Sequence, residues 1–194
     1  RASKGWYGLF AADAAGLAAS SDTRAHLFWT AGHSYEMDDY KEWTNGLPSI
    51  KFRNKAFNNP SGTNTSFSST DFPLFRLADA YLMYAEAHVH GGGGSAATAL
   101  QYVNDVRTRA GAASITASEL TADFILDERA RELNFEGVRR SDLIRNGKFT
   151  GGSYTWPWKG NNISGASIPE DYNLFPIPQR SLEANPNLTQ NPGY

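Results

Sequence analysis

The sequence contains no cysteine, which excludes disulfide bonds and thiolate metal sites. It also lacks an excess of charge of one sign: the formal net charge is −2, and no run of five lysines or arginines occurs. A protein that binds nucleic acid through its phosphates needs a basic surface, so the composition disfavours nucleic acid as a partner. At 194 residues, the chain can bury a hydrophobic core without a covalent cross-link.

Long apolar runs are missing as well. No stretch approaches the roughly 18 apolar residues that a membrane-spanning helix requires. The first residues, RASKGWYGLF, have neither an initiator methionine nor the pattern of a signal peptide. We therefore expect the chain to be a piece of a longer protein, and the lack of a targeting signal then says nothing about location.

The sequence changes character near residue 70. Residues 1–70 are rich in glycine, asparagine and serine without a sustained helical period, which predicts a loop-rich region with short strands, one of them over 50–57. Residues 71–194 begin with apolar side chains at helical spacing. We expect both parts to belong to one larger domain that is truncated at the N-terminus.

Three helices are predicted in the second part, each opened by a capping side chain and closed by glycine. Two neighbouring helices of this length resemble one tetratricopeptide-type unit. The predicted fold is therefore mainly α-helical, with tetratricopeptide-like helices packed with an irregular loop-rich region and little β-structure. The predicted helices cover 71–91, 95–111 and 121–137.

Three glutamates, Glu128, Glu132 and Glu136, follow one another at intervals of four residues, which on a helix brings their carboxylates close to one face. Carboxylates so placed repel one another unless cations intervene, and arginines stand three or four residues from each of them. The planar guanidinium fork suits partly buried carboxylates. The predicted structural charge lattice comprises Glu128, Arg129, Arg131, Glu132, Glu136, Arg139 and Arg140.

Two other interpretations of this segment are a hydrolytic carboxylate pair and a metal site. A hydrolytic pair needs one carboxylate in surroundings poor in arginine, so that its pKa is raised. Histidines give no support to a metal site, because His88 and His90 would project about 200° apart on a helix. No nucleophile motif, phosphate loop or dinucleotide fingerprint occurs. We predict a scaffold, with no catalytic residue, metal or cofactor.

Aromatic residues make up 13% of the chain, and most of them are expected to pack in the core. Those in polar, glycine-rich loops are candidates for stacking on the flat C–H faces of sugar rings. The tryptophans Trp156 and Trp158, on either side of a proline, are ranked lower, because they are equally suited to clamping the C-terminal tail. The predicted carbohydrate-binding residues are Trp6, Tyr7, Tyr40 and Trp43.

Four separate blocks of the sequence, in order, closely resemble the C-terminal half of the SusD/RagB family. The final block is similar to the natural C-terminus of that family. The sequences of the segment YTWPWKG and of the arginine-rich third block resemble most closely those of the starch-binding branch. The blocks are DFPLFRLADAYLMYAEA, ALQYVNDVRTRAG, ILDERARELNFEGVRRSDLIRNGKF and LFPIPQRSLEANPNLTQNPGY.

This resemblance implies a surface-exposed lipoprotein of the outer membrane in Bacteroidetes, held to the membrane only by an N-terminal lipid anchor that is missing from this chain. It implies non-catalytic binding of a starch-like oligo- or polysaccharide and delivery to a TonB-dependent, SusC-like porin. The family fold is helical, and the ERARE block is scaffold in it. The alternatives are a tetratricopeptide-type interaction scaffold that mainly contacts the porin and, more distantly, a glycoside hydrolase.

Overall fold

A computed structural model of the chain describes residues 1–55, 64, 66–68 and 70–194. These residues contain seven α-helices and four short 3-10 helices, while their β-structure consists of isolated bridges such as that between Ala2 and Leu47. The mainly α-helical fold with little β-structure is confirmed. The α-helices are α1 (Lys4–Tyr7), α2 (Ala14–Ala19), α3 (Leu77–Val89), α4 (Ala96–Arg109), α5 (Ala122–Glu132), α6 (Arg139–Arg145) and α7 (Gln179–Ala184). The 3-10 helices are Thr23–Leu27, Ala117–Glu119, Lys159–Asn161 and Glu170–Asn173.

The chain divides into two compact units, Arg1–Arg139 and Arg140–Tyr194. The predicted division between residues 70 and 71 stays a prediction. The predicted strand over 50–57 is not found in its described part, 50–55, which forms bends and loop, and residues 56 and 57 lie outside the described residues. In the described part of the chain, no helix combines the length and the apolar character needed to cross a bilayer.

Helices α3, α4 and α5 share one hydrophobic core in the first unit. Leu82 of α3, Val103 of α4 and Ile125 of α5 are fully buried in it. At its edge the rings of Tyr81 and Tyr102 stack at a centroid distance of 4.1 Å and an interplanar angle of 2°. The helical periodicity of the sequence thus corresponds to the buried faces that hold these helices together.

The predicted starts of α4 and α5 are confirmed, because the side chain of Ser95 caps α4 and that of Thr121 caps α5. The predicted start of α3 at Asp71 is wrong: the helix begins at Leu77, and Arg76 has an extended backbone. A proline disfavours helical geometry in the residue before it, which here is Phe72, so a helix that starts at Asp71 is unfavourable.

Helix α5 ends at Glu132, one turn before the predicted end at Gly137. Lys51 Nζ donates to the carbonyl oxygens of Glu132 at 2.7 Å and Asn134 at 3.0 Å, so an external cation binds the last carbonyl of the helix and one just beyond it. Phe135 then adopts a left-handed conformation with φ of 59°. Glu136 therefore lies beyond the helix that was predicted to contain it.

A second core in the first unit joins the loop-rich segments before α3. Tyr7 lies at its centre, fully buried, with its ring 5.6 Å from that of Phe28 and 4.8 Å from that of Tyr35. The Tyr7 hydroxyl donates to the Tyr35 carbonyl, and the Tyr35 hydroxyl donates to the Ala11 carbonyl at 2.5 Å. Leu47, also fully buried, packs in the same cluster. These contacts give a region with little regular structure a defined packing.

The second unit contains α7 and the C-terminal part of α6. Arg140 donates to the carbonyl oxygens of Tyr172 at 2.7 Å and Asn173 at 3.1 Å, and its guanidinium lies 4.0 Å from the centroid of the Phe175 ring. Lys159 is almost completely buried, and its ammonium donates to the Gly151 carbonyl at 2.8 Å. These cations bind loop carbonyls where regular secondary structure is sparse.

Candidate ligand-binding surface and buried charge lattice

The buried charges centre on Glu128, whose side chain has no exposed surface. Its Oε1 accepts a hydrogen bond from Arg24 Nη1 at 2.8 Å. Its Oε2 accepts hydrogen bonds from Arg107 Nη1 at 2.7 Å and from Arg131 Nε at 2.9 Å. A buried carboxylate costs much less free energy when charged donors pair with its oxygens. Glu128 is thus a fixed junction between three arginines.

Arg24, which no sequence pattern singled out, connects the loop-rich region to α5. It lies in the 3-10 helix Thr23–Leu27, where Asp22 accepts from its backbone N–H at 3.0 Å, from Nε at 2.9 Å and from Nη2 at 2.7 Å. The Thr23 backbone N–H donates to the Ala110 carbonyl at 2.8 Å, which anchors this segment to the end of α4. The guanidinium is therefore oriented before it reaches the glutamates.

Glu132 is the second junction and also binds three arginines. It pairs with Arg24 at 2.9 Å, Arg76 at 2.6 Å and Arg109 at 2.8 Å. Burial by itself would raise the pKa of Glu132, but the hydrogen bond from Arg76 and the positive charges of all three arginines outweigh it and hold the pKa below its ordinary value. This carboxylate is ionised at neutral pH.

Glu136, beyond the end of α5, is bound by Arg76 at 2.7 Å and by Lys51. Burial would raise its pKa too, but the hydrogen bonds from these two cations outweigh burial and lower it. The three glutamates of the predicted lattice therefore lie in one connected network, although only two of them share a helix.

The partners of the glutamates differ from the predicted ones in several places. Arg131 does pair with Glu128, three residues before it. Arg129 was predicted beside Glu132, but it faces α3 and pairs there with Asp79 at 2.8 Å and Glu86 at 3.6 Å. Helical spacing places Arg129 on another side of α5, which is the reason for the difference.

Arg139 and Arg140, predicted to follow Glu136 as its partners, have other contacts. Arg139 donates to the Leu126 carbonyl at 2.7 Å, and Arg140 binds carbonyls of the second unit, as described above. The cations that the sequence analysis missed come from distant segments, and their separation along the chain left no local signal. They are Arg24, Lys51, Arg76, Arg107 and Arg109.

This network is chemically suited to holding structure. A general acid needs a carboxyl group with a raised pKa, whereas Glu132 and Glu136 have lowered pKa values. Within the residues that the structure describes, no group of three or more histidine, aspartate or glutamate side chains is arranged to hold a metal ion.

We expect the free energy of unfolding to fall in acid. A carboxyl group with a lowered folded-state pKa stabilises the fold above its ordinary pKa of about 4.3, and this contribution is lost as the pH falls through the folded-state value. The folded-state pKa is lowered for both Glu132 and Glu136, so both are expected to stabilise the fold at neutral pH and to lose this contribution in acid. Urea unfolding of the full-length protein between pH 7 and pH 3 measures the effect. We expect little change down to about pH 5 and a steep loss below about pH 4, whereas an unchanged midpoint at pH 3 would contradict the lattice.

Of the predicted carbohydrate-binding residues, Trp43 and Tyr40 have the exposed rings. Trp43 is 70% exposed and Tyr40 is 49% exposed. Arg1 holds this loop by donating to the Tyr40 carbonyl at 2.6 Å and the Asn45 carbonyl at 3.0 Å, and its guanidinium lies 5.2 Å from the centroid of the Trp43 ring. Asn45 Oδ1 accepts from the Asp38 backbone N–H at 2.9 Å. The exposed Trp43 ring thus lies on a loop that is held by hydrogen bonds.

The other two predicted residues lie differently. Tyr7 is a fully buried core residue, so its ring is closed to a ligand and is not carried into the proposed site. Trp6 is half-buried, with its ring 6.2 Å from that of Phe135, which is 46% exposed. Trp29, which sequence reasoning did not select, is 52% exposed and donates through Nε1 to the Ala31 carbonyl at 2.9 Å.

The pair that was ranked lower, Trp156 and Trp158, lies half-buried in the second unit. The Trp156 ring packs 6.0 Å from that of Tyr154, and the Lys159 ammonium lies 4.8 Å from its centroid. Trp158 has a φ of 72°, an unusual conformation for a residue with a side chain. These contacts are typical of loop packing.

Comparison with known proteins identifies the family of this chain. The sequence profile of the SusD family matches residues 6–194. The chain is 37% identical over 181 residues to the starch-binding protein SusD of Bacteroides thetaiotaomicron, an alignment that covers 92% of this chain and 32% of that protein. The chain therefore spans about a third of the length of this relative.

Solved structures have the same fold. A SusD superfamily protein from Bacteroides thetaiotaomicron superposes with a TM-score of 0.69 and 26% identity, covering 98% of this chain and 40% of that chain. The surface glycan-binding protein A from Bacteroides uniformis superposes with a TM-score of 0.65 and 25% identity, covering 95% of this chain and 39% of that chain. With a family profile that matches nearly its whole length, the chain belongs to the SusD family.

Proposed function

We propose that the full-length protein binds a starch-like oligo- or polysaccharide at the cell surface and delivers it to a TonB-dependent, SusC-like porin of the outer membrane without cleaving it. The observation that carries this proposal is the 37% identity to a starch-binding protein across 92% of this chain. In this proposal the protein is a surface lipoprotein whose lipid anchor lies outside the present sequence.

The loop of Tyr40 and Trp43 supports a contribution of this chain to glycan binding. A sugar ring presents a flat C–H face that packs on an aromatic ring, while its hydroxyl groups need hydrogen-bonding neighbours. Trp43 offers an exposed ring, and Lys41, next to Tyr40 in the sequence, has its ammonium 5.8 Å from the Tyr40 ring centroid. We assign these two aromatic residues, with half-buried Trp6 at lower rank, as the carbohydrate-contacting residues of this chain.

Calorimetry on the full-length protein tests the proposal. A linear α-1,4-linked glucose oligosaccharide is expected to bind at one or more sites, and a β-1,4-linked glucose oligosaccharide of the same length is the matched control, because it has the same composition and a different shape. We expect a preference for the α-linked ligand. Absence of binding to both would contradict the proposed function, and a preference for the β-linked ligand would contradict the starch-like assignment.

We also expect the protein to release no reducing sugar from the glycan that it binds. Glu132 and Glu136 have lowered pKa values, and Glu128 is held by three arginines, so none of the three glutamates is suited to donate a proton to a glycosidic oxygen. Reducing-sugar assays with the wild type and with Glu132→Gln are expected to give the same background. Release by the wild type that disappears in Glu132→Gln would identify a hydrolase instead.

A second candidate, an interaction scaffold that mainly contacts the porin, is favoured by one observation. The segment before α3 exposes large apolar side chains: Phe75 is 90% exposed and Leu74 is 78% exposed. Exposed apolar surface of this kind is typical of protein contacts. If the full-length protein binds none of the tested glycans but still co-purifies with its porin, and Phe75→Ser weakens that association, the scaffold function replaces glycan binding.

A further inference from the structure

The first unit contains an open cavity of about 300 Å³, and two of the arginines that bind Glu128 line it. Its lining includes Arg107, Arg131, Phe124 and the segment 20–22. Ala113, an exposed residue, also borders the cavity. A cavity of this volume is at the lower end of the range for small-molecule sites.

The two arginines in the cavity wall are fixed before any ligand arrives. Their guanidinium groups lie 5.3 Å (Arg107) and 5.4 Å (Arg131) from the centroid of the Phe124 ring. Both donate to the same Glu128 oxygen, at 2.7 Å and 2.9 Å, so the two donating nitrogens are less than about 6 Å apart. Little side-chain entropy remains to be lost when a ligand binds.

Each of these guanidinium groups has a donor that is not used in the hydrogen bonds within the described part of the protein. Arg107 uses Nε for the Ala113 carbonyl at 2.7 Å and Nη1 for Glu128, and Arg131 uses Nε for Glu128 and Nη1 for the Leu9 carbonyl at 3.2 Å. Among the residues that the structure describes, the Nη2 group of either arginine has no hydrogen-bond partner. The two arginines that line the cavity therefore each have a charged donor outside these hydrogen bonds.

The charges around the cavity also leave a positive excess. Asp22 lines the cavity, but Arg24 binds both of its oxygens, at 2.9 Å and 2.7 Å. The charged residues of the lining are Arg107, Arg131 and Asp22. Together with their ion-pair partners Arg24 and Glu128, they comprise three cations and two carboxylates, so one positive charge is in excess.

We propose that this cavity is a binding site for the oxyanion group of a small ligand, held by Arg107 and Arg131. A carboxylate or a phosphate accepts hydrogen bonds from both arginines and offsets their mutual repulsion. The carboxylate of an acidic sugar and inorganic phosphate share this chemistry. All residues of this site lie in the first unit, and the site can bind an oxyanion whether or not the protein binds a starch-like glycan.

Binding of glucuronate and of inorganic phosphate to the full-length protein tests the site, in a buffer of constant ionic strength without other oxyanions. Glucose is the neutral control for glucuronate. We expect at least one of the two anions to bind and glucose not to compete with it. Binding of glucuronate alone would identify an acidic sugar as the source of the oxyanion, and binding of phosphate alone would identify an inorganic anion. Binding of neither would overturn the proposal.

Substitution at Ala113 locates the site without removing any lattice residue. Ala113→Glu brings a carboxylate of the protein's own to the cavity, and Ala113→Gln adds a side chain of nearly the same size without charge. We expect Ala113→Glu to weaken anion binding at least about tenfold and Ala113→Gln to change it less than about threefold. Thermal unfolding of both variants checks that they are folded. Anion binding that is unchanged in folded Ala113→Glu would place the anion elsewhere and overturn the assignment.

Discussion

Arg24→Met is expected to lower the free energy of unfolding by roughly 3–5 kcal/mol, because it removes a buried cation and leaves buried carboxylates behind. The Arg24 side chain is 6% exposed and bridges Asp22, Glu128 and Glu132. Methionine keeps most of the side-chain length, so the change tests charge and hydrogen bonding more than volume. Urea unfolding of the full-length protein at neutral pH measures the loss.

The matched control is Arg109→Met, the same substitution at an arginine that also binds Glu132. The Arg109 side chain is 60% exposed, and exposed ion pairs contribute about 1 kcal/mol or less. We expect this variant to unfold nearly like the wild type. If the two variants lose the same amount of stability, burial does not determine the strength of these ion pairs, and the interpretation of the lattice is wrong.

Gly46→Ala is expected to destabilise the loop that carries Trp43 by about 2 kcal/mol or more. Gly46 has a φ of 73°, which disfavours alanine. An added Cβ would also lie 2.6 Å from the Ala2 carbonyl oxygen and 2.2 Å from Met37 Cε. The methionine end can move aside, but the backbone oxygen belongs to Ala2, whose N–H is held by the Leu47 carbonyl at 2.8 Å. We expect a lower melting temperature of the full-length protein and weaker oligosaccharide binding.

Gly32→Ala separates the clash from the backbone strain. Gly32 has a φ of 74°, but an added Cβ would meet no atom within 4 Å. In this variant only the left-handed backbone conformation of the alanine is unfavourable, at a cost of about 1 kcal/mol. We therefore expect it to lose clearly less stability than Gly46→Ala. Equal losses in the two variants would show that close packing around Gly46 contributes nothing.

Local signals in the sequence predicted the helices well. Capping side chains at Ser95 and Thr121 and the apolar periodicity of the helices act within a few residues, so they can be recognised without a structure. The end of α5 was missed because it depends on a distant cation, Lys51, which binds the carbonyl of Glu132. The extended start of α3 at Arg76 likewise depends on contacts with Glu132 and Glu136.

The candidate sites show the same limit. The glutamates of the lattice could be selected because they share a spacing, whereas Arg24 is separated from Glu128 by 104 positions. Tyr7 and Trp43 both stand in glycine-containing segments, yet one is fully buried and the other is 70% exposed. Burial depends on which segments pack together. In a region with little regular structure, the sequence has no periodic pattern from which the buried residues could be predicted.

We propose that this chain contributes an exposed aromatic surface, centred on Trp43, to a non-catalytic glycan-binding protein. The decisive measurement is calorimetric titration of the full-length protein with a linear α-1,4-linked glucose oligosaccharide, using wild type, Trp43→Phe and Trp43→Ala. Truncation of a central aromatic contact typically costs about 2 kcal/mol, or roughly thirtyfold in affinity. We predict a loss of this order for Trp43→Ala and a smaller loss for Trp43→Phe, which keeps a ring. Wild-type affinity in a folded Trp43→Ala variant would contradict the claim.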